Sequence, residues 1–107
     1  MTEIRFSPQA IDDLRETVAY ITDELSNEQA AKNVVAKIIE RIHVLADFPE
    51  SGAKLSSIVN VDTNYRFVVC GNYTTFYRYE DGVVYIVRIL YGRRNFMQVL
   101  FGEPTEE

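Results

Sequence analysis

Three runs of strand-forming residues, Tyr65–Cys70, Tyr73–Tyr79 and Val83–Leu90, follow one another with only short connectors between them. The connectors are Gly71-Asn72 and Asp81-Gly82, residues that tolerate the positive φ of tight hairpin turns. The spacing therefore predicts two successive β-hairpins, an antiparallel meander. A sheet of this kind must bury one face, so the rest of the chain has to supply a cover.

The N-terminal half has the pattern of such a cover. Glu3–Phe6 reads as a short first strand. Ser7-Pro8 places an N-cap residue before a proline at the first helical position, where its missing N–H is harmless. Ile11, Leu14, Val18, Ile21 and Leu25 then recur at helical spacing and predict one apolar stripe, with Asp12, Asp13, Arg15 and Glu16 on solvated faces. Ser26-Asn27-Glu28-Gln29 has the spacing of a capping box opening a second helix that runs to about Ala46. Its buried positions are expected at Ala31, Val34, Val35, Ile38, Ile42 and Leu45, with Ile39 widening the stripe. Phe48-Pro49 ends it. Lys54–Thr63 reads as a loop anchored by Ile58-Val59. The expected architecture is α+β: an N-terminal strand and a two-helix hairpin packed on one face of an antiparallel β-sheet, with the other face open. After Gly92 a short helix or strand should run to Phe101, and residues 103–107 should form a loose acidic tail.

A chain of 107 residues, 47% hydrophobic and 25% charged, suits a single domain over 1–107. No apolar run approaches the roughly 20 residues of a membrane span, and charges interrupt the start where a signal peptide would lie. The single cysteine, Cys70, fits a reducing cytoplasm and reads as a small buried hydrophobe. Charge is unevenly spread. Residues 1–53 hold five basic against ten acidic residues, residues 54–101 six basic against three acidic, and the tail adds three glutamates. The sheet half is thus mildly positive on a protein of net charge −5, far from the strongly basic domain of a general nucleic-acid binder.

Most catalytic constellations are missing from the sequence. His43 is the only histidine and sits in an apolar helical stretch, so a structural role is expected. There is no glycine-rich phosphate loop and no Cys/His cluster with metal-ligand spacing, so neither a metal nor a cofactor is expected. What remains is a set on the sheet half: Tyr65, Arg66, Tyr73, Tyr77, Arg78, Arg88, Tyr91, Arg93 and Arg94. Interleaved tyrosines and arginines can hold single-stranded RNA by stacking and phosphate neutralisation, and the same types dominate protein interface hot spots. Strand alternation places Arg88 with Val84, Ile86 and Leu90, and Tyr91 with Val83, Tyr85, Val87 and Ile89.

The order of elements, together with IRFSPQAIDDL, LADFPESG, YRFVVCGNYTTFYRYEDGVVYIVRI and LYGRRNF, resembles the RelE/ParE superfamily of bacterial type II toxin–antitoxin toxins across nearly the whole chain. The resemblance implies a small toxin whose cognate antitoxin wraps it with a C-terminal segment and blocks it, in a hetero-oligomer. It also implies one of two activities. RelE-like members cleave mRNA in the ribosome; ParE-like members act on DNA gyrase and are not nucleases. On the nuclease reading, Arg66, Arg94 and Tyr73 would be catalytic. On either reading, Arg88, Tyr91, Arg93, Arg94 and Phe96 would face the target or the antitoxin.

Departures from the nuclease pattern favour the ParE-like side. Thr74 stands where those nucleases usually carry an arginine, Val68 and Cys70 are apolar where the strand is often basic, and Phe96 and Phe101 cannot move a proton. Arginine stays protonated and is a poor general base. The expectation is therefore a gyrase-directed growth inhibitor bound by an antitoxin. A ribosome-dependent endoribonuclease and an inactive toxin kept as an antitoxin-binding partner remain open alternatives.

Overall fold

The computed structural model describes residues 2–92 and 95–102. Strand β1 (Glu3–Phe6) leads into helix α1 (Pro8–Leu25) and helix α2 (Glu28–Asp47). A two-residue strand β2 (Ala53–Lys54), a 3-10 turn (Leu55–Ser57), then β3 (Tyr65–Cys70), β4 (Tyr73–Glu80) and β5 (Val83–Tyr91) follow, and helix α3 (Phe96–Phe101) comes last. The sheet order is β1-β5-β4-β3-β2. The meander is antiparallel as expected, and β2 extends it, but β1 joins β5 in parallel, so the five-stranded sheet is mixed. Gly71, Asp81 and Gly82 hold the positive φ that the two hairpin turns require.

Ser7 joins β1 to α1 in the predicted way. Its Oγ accepts from the Ala10 N–H at 2.9 Å and donates to the Val87 carbonyl at 2.7 Å, so one hydroxyl caps the helix and ties it to β5. The helix junction differs from the expected capping box. Ser26 adopts the left-handed conformation and closes α1, while Asn27 caps α2 by accepting from the Ala30 N–H at 3.0 Å. Gln29 does not reach back; its amide donates to Asn33 along the helix.

The α1 stripe is rotated from its predicted position. Ile21 is buried and Leu14 packs against the core as predicted, but Ile11, Val18 and Leu25 are exposed, and Ala10, Asp13 and Thr17 are buried in their place. The rotation follows from what β5 offers: a charged Arg88 needs a carboxylate, and small side chains let the helix approach. In α2, Ala31, Ile38, Ile42 and Leu45 are buried as read, with Val34, Val35 and Ile39 half-buried, whereas His43 faces solvent.

Two cores flank the sheet. The helix side gathers Ala10, Ile38, Ile42, Leu45, Val68, Tyr77, Val84, Ile86 and Ile89, with the half-buried Cys70 packed against it. The far side, expected to be open, carries a second core of Leu55, Phe67 and Phe76, covered in part by Phe96, Leu100 and Phe101 of α3. Leu55, at 0% exposure, is the anchor of the long loop; Ile58 is exposed and Val59 only half-buried. Strict alternation also fails along β5. Phe76 pairs with Arg88 while Tyr77 pairs with Ile86, so Val87 is an extra, bulged residue. Ile89 consequently joins Val84 and Ile86 in the helix-side core, and Leu90 turns to the far side. Among the described residues no helix is long and apolar enough to cross a membrane. The tail 103–107 lies outside the described residues.

Candidate functional site

The bulge in β5 and the rotation of α1 meet at one place. Asp13, 7% exposed, accepts two hydrogen bonds from the Arg88 guanidinium, from Nε and Nη2, each at 2.8 Å. Its Oδ2 also accepts from the Ile89 backbone N–H at 2.8 Å. The bulge interrupts the ladder at this point, and the carboxylate provides a partner for a strand N–H there. The Asp13 hydrogen bonds raise the Arg88 pKa above its usual value against the opposing effect of burial, and the charges of Asp13 and Glu16 add to the rise.

This pair forms the floor of a cleft of about 650 Å³ between α1 and the ends of β4 and β5. Glu16, Thr17 and Tyr20 line it from the helix, and Tyr73, Leu90 and Tyr91 from the strands. Thr17 points its hydroxyl back to the Asp13 carbonyl, 2.9 Å away, which leaves its methyl to the interior. Tyr73 and Tyr91 are cross-strand partners whose rings meet edge to face at 5.4 Å and 79°. A 2.6 Å bond from the Gly92 N–H to the Asn72 carbonyl ties the end of β5 to the β3–β4 turn and fixes the mouth of the cleft.

The structure thus brings together three of the predicted site residues, Tyr73, Arg88 and Tyr91. It places the others elsewhere. Arg66 donates from Nη1 to the carbonyls of Glu50 at 3.0 Å and Gly52 at 2.9 Å, where it holds the chain between α2 and β2. It pairs with Tyr77, whereas Tyr73 pairs with Cys70. Those two pairs are four residues apart along the strand, roughly 13 Å at the rise of an extended chain. Phe96 stacks on Phe76 at 5.5 Å and 10° and belongs to the far-side core. Arg93 and Arg94 lie outside the described residues. Tyr77, also in the sequence-derived set, is fully buried; its hydroxyl donates to the Pro49 carbonyl at 2.8 Å and accepts from the Gly52 N–H at 3.0 Å. Burial pushes its pKa up.

Sequence reading assigned Asp13 to a solvated face, and this was its main miss. The signal that could have found it is Arg88, a lone charge inside an apolar strand that requires an acid within reach. Among the described residues no group of three or more His, Cys, Asp or Glu is placed to hold a metal.

Comparison with known proteins bears on the same geometry. The family described as ParE toxin of type II toxin-antitoxin system, parDE, matches residues 4–96. That range contains every described residue of the cleft. A solved structure titled "Chromosomal ParDE TA system from P. aeruginosa" superimposes with a TM-score of 0.73, covering 86% of this chain and 97% of that one at 20% identity. At that identity the likeness is one of fold. Comparison with curated proteins gave no match.

Proposed function

The chain belongs to the ParE toxin family of type II toxin–antitoxin systems, and from that premise we propose that it inhibits growth by acting on DNA gyrase. In the resting cytoplasm a cognate antitoxin holds it inactive in a hetero-oligomer. Of the two activities that a toxin of this superfamily can have, the arrangement of polar side chains favours the one that needs no catalysis.

The observation that carries this reading is the disposition of Arg66. RNA cleavage through the 2′-hydroxyl requires a proton acceptor, a proton donor and cations for the transition state within reach of one phosphate. Arg66 is engaged by two backbone carbonyls and stands four strand positions from Tyr73. Arg88 is neutralised by Asp13, and Tyr77 is buried with a raised pKa. Among the described residues, the groups named as catalysts for a nuclease do not converge. A protein-docking surface has no such requirement, and the exposed Tyr91 with the arginines that follow it is suited to one.

The test is induction of the chain without its antitoxin, followed by transcript-end mapping and plasmid topology. Growth arrest with relaxed plasmid and no new mRNA 5′ ends is the expected result. New ends clustered inside translated codons would overturn the proposal in favour of a ribosome-dependent nuclease. Purified chain should also inhibit gyrase supercoiling in vitro, and inhibition should disappear when the antitoxin is added.

A further inference from the structure

The cleft between α1 and β5 has a charge and a wall composition that together select one kind of ligand. Its only described cation, Arg88, is already bound in a bidentate pair by Asp13. That leaves the Glu16 carboxylate, which among the described residues makes no hydrogen bond or ion pair. Three tyrosines, Tyr20, Tyr73 and Tyr91, stand beside them in the lining, with Thr17, Ile89 and Leu90. Aromatic faces beside a carboxylate attract a cation by quadrupole and charge alike. The same chain uses this chemistry on its other side, where the Arg78 guanidinium lies 5.0 Å over the Tyr85 ring.

We propose that this cleft is the seat of a basic side chain, lysine or arginine, contributed by the antitoxin. The proposal rests on the toxin–antitoxin reading given above and adds to it the chemistry by which this part of the toxin is recognised. Charge complementarity selects the occupant. An anionic side chain would find Arg88 already neutralised by Asp13 and Glu16 repulsive, and an apolar one would set no charge against Glu16. Among the charged residues that line the cleft, Asp13 and Glu16 outnumber Arg88, so its described lining is net negative. A cleft of about 650 Å³ exceeds one extended side chain and leaves room for the backbone that carries it.

The experiment uses the toxin co-purified with the antitoxin encoded beside it. Dissociation is followed by displacement with labelled antitoxin at several salt concentrations. Glu16→Gln should speed dissociation about tenfold and flatten its salt dependence. Glu16→Lys should do so more strongly. Tyr20→Phe should bind as wild type, whereas Tyr20→Leu should not, because the ring face and not the hydroxyl is used. Alanine replacement of each antitoxin lysine and arginine should reveal one whose loss is non-additive with Glu16→Gln. Unchanged dissociation of the Glu16 variants, or additivity at every basic position, overturns the proposal while the toxin–antitoxin reading stands. Failure of the wild-type chain to form any complex with its neighbour overturns both. Glu16 and Tyr20 are exposed, so an unchanged thermal melt of each variant separates lost recognition from lost folding.

Discussion

The sheet carries an anchored arginine at each of two places, and they are used in opposite ways. Below β3 and β4, Arg66 grips the carbonyls of Glu50 and Gly52 while the Tyr77 hydroxyl bridges Pro49 and Gly52. Every partner there is the chain's own backbone, and the result is a closed turn that carries α2 into β2. At the α1–β5 cleft, Arg88 grips a carboxylate, its charge is cancelled, and the contact forms the floor of an open cavity. The rim above it, Glu16, Tyr20 and Tyr91, is exposed. A guanidinium is therefore no sign of a binding site until its partners are known: at the first place it closes a turn, and at the second it lies at the floor of an open cleft.

The cleft floor is where the comparison is easiest to break. Asp13→Ala strips Arg88 of its partner and leaves the Ile89 N–H without an acceptor. Removing one member of a buried pair costs more than the pair itself contributes. The Arg88 side chain is 26% exposed, so water recovers part of the loss and the low end of the range applies, about 3 kcal/mol. Chemical denaturation should show it, and Asp13→Asn, which keeps the shape and one acceptor, should lose less. An Asp13→Ala protein as stable as wild type would mean that the pair is not what joins α1 to β5.

At the closed turn the corresponding break is Gly52→Ala. A Cβ there would stand 2.5 Å from the Tyr77 hydroxyl oxygen, 2.7 Å from its ring and 2.9 Å from the Phe67 carbonyl. None of these can move freely, because the tyrosine is fully buried and the carbonyl belongs to the sheet. Overpacking of this kind costs about 2 kcal/mol, measurable as a shift in the denaturation midpoint without a change in its slope.

These two sites also explain what the sequence could and could not reveal. The meander was legible because hairpin turns are local: Gly71, Asp81 and Gly82 announce themselves without reference to anything distant. Ser7-Pro8 was legible for the same reason. The α1 face was misread because hydrophobicity alone ranks Ile11, Val18 and Leu25 above Asp13 and Thr17, and only a contact 75 residues away in β5 reverses that order. The bulge at Val87 is likewise invisible to a period-two reading, yet it decides that Ile89 and not Leu90 enters the helix-side core. Gly52 falls within LADFPESG, and its need for a missing side chain comes from Tyr77 across 25 positions of sequence. Of the candidate site, Tyr73, Arg88 and Tyr91 were found from residue type, and the acid that organises them was not.

Tyr77 gives the comparison a pH axis. Tyr77→Phe leaves the Gly52 N–H and the Pro49 carbonyl without their partner and should cost about 1–2 kcal/mol. Because burial raises the folded-state pKa of the phenol above its unfolded value, the neutral form is favoured by folding. That stabilisation is fully present below the unfolded tyrosine pKa, and it is lost as pH rises through the folded one. Wild type should therefore lose stability in the alkaline range more steeply than Tyr77→Phe, and the gap between the two should narrow there. A constant gap across that range would show that the hydroxyl is not sealed from solvent in the way its contacts suggest.

The smallest effect belongs to the rim, and its smallness is what matters. Tyr20 is 61% exposed, and truncating it to alanine removes no hydrogen bond or ion pair recorded among the described residues. Surface changes away from caps, cores and networks stay within about 0.5 kcal/mol, so Tyr20→Ala should unfold with the wild-type midpoint in urea while Asp13→Ala does not. Asp13 and Tyr20 lie in the same cleft, about two helical turns apart on α1, and differ in burial, 7% against 61% exposure. If Tyr20→Ala instead lost as much stability as Tyr77→Phe, the rim would be packed structure like the closed turn. The cleft would then be a fold feature rather than a surface kept available for a partner. A neutral Tyr20→Ala that nevertheless releases the antitoxin faster would place its role in recognition alone.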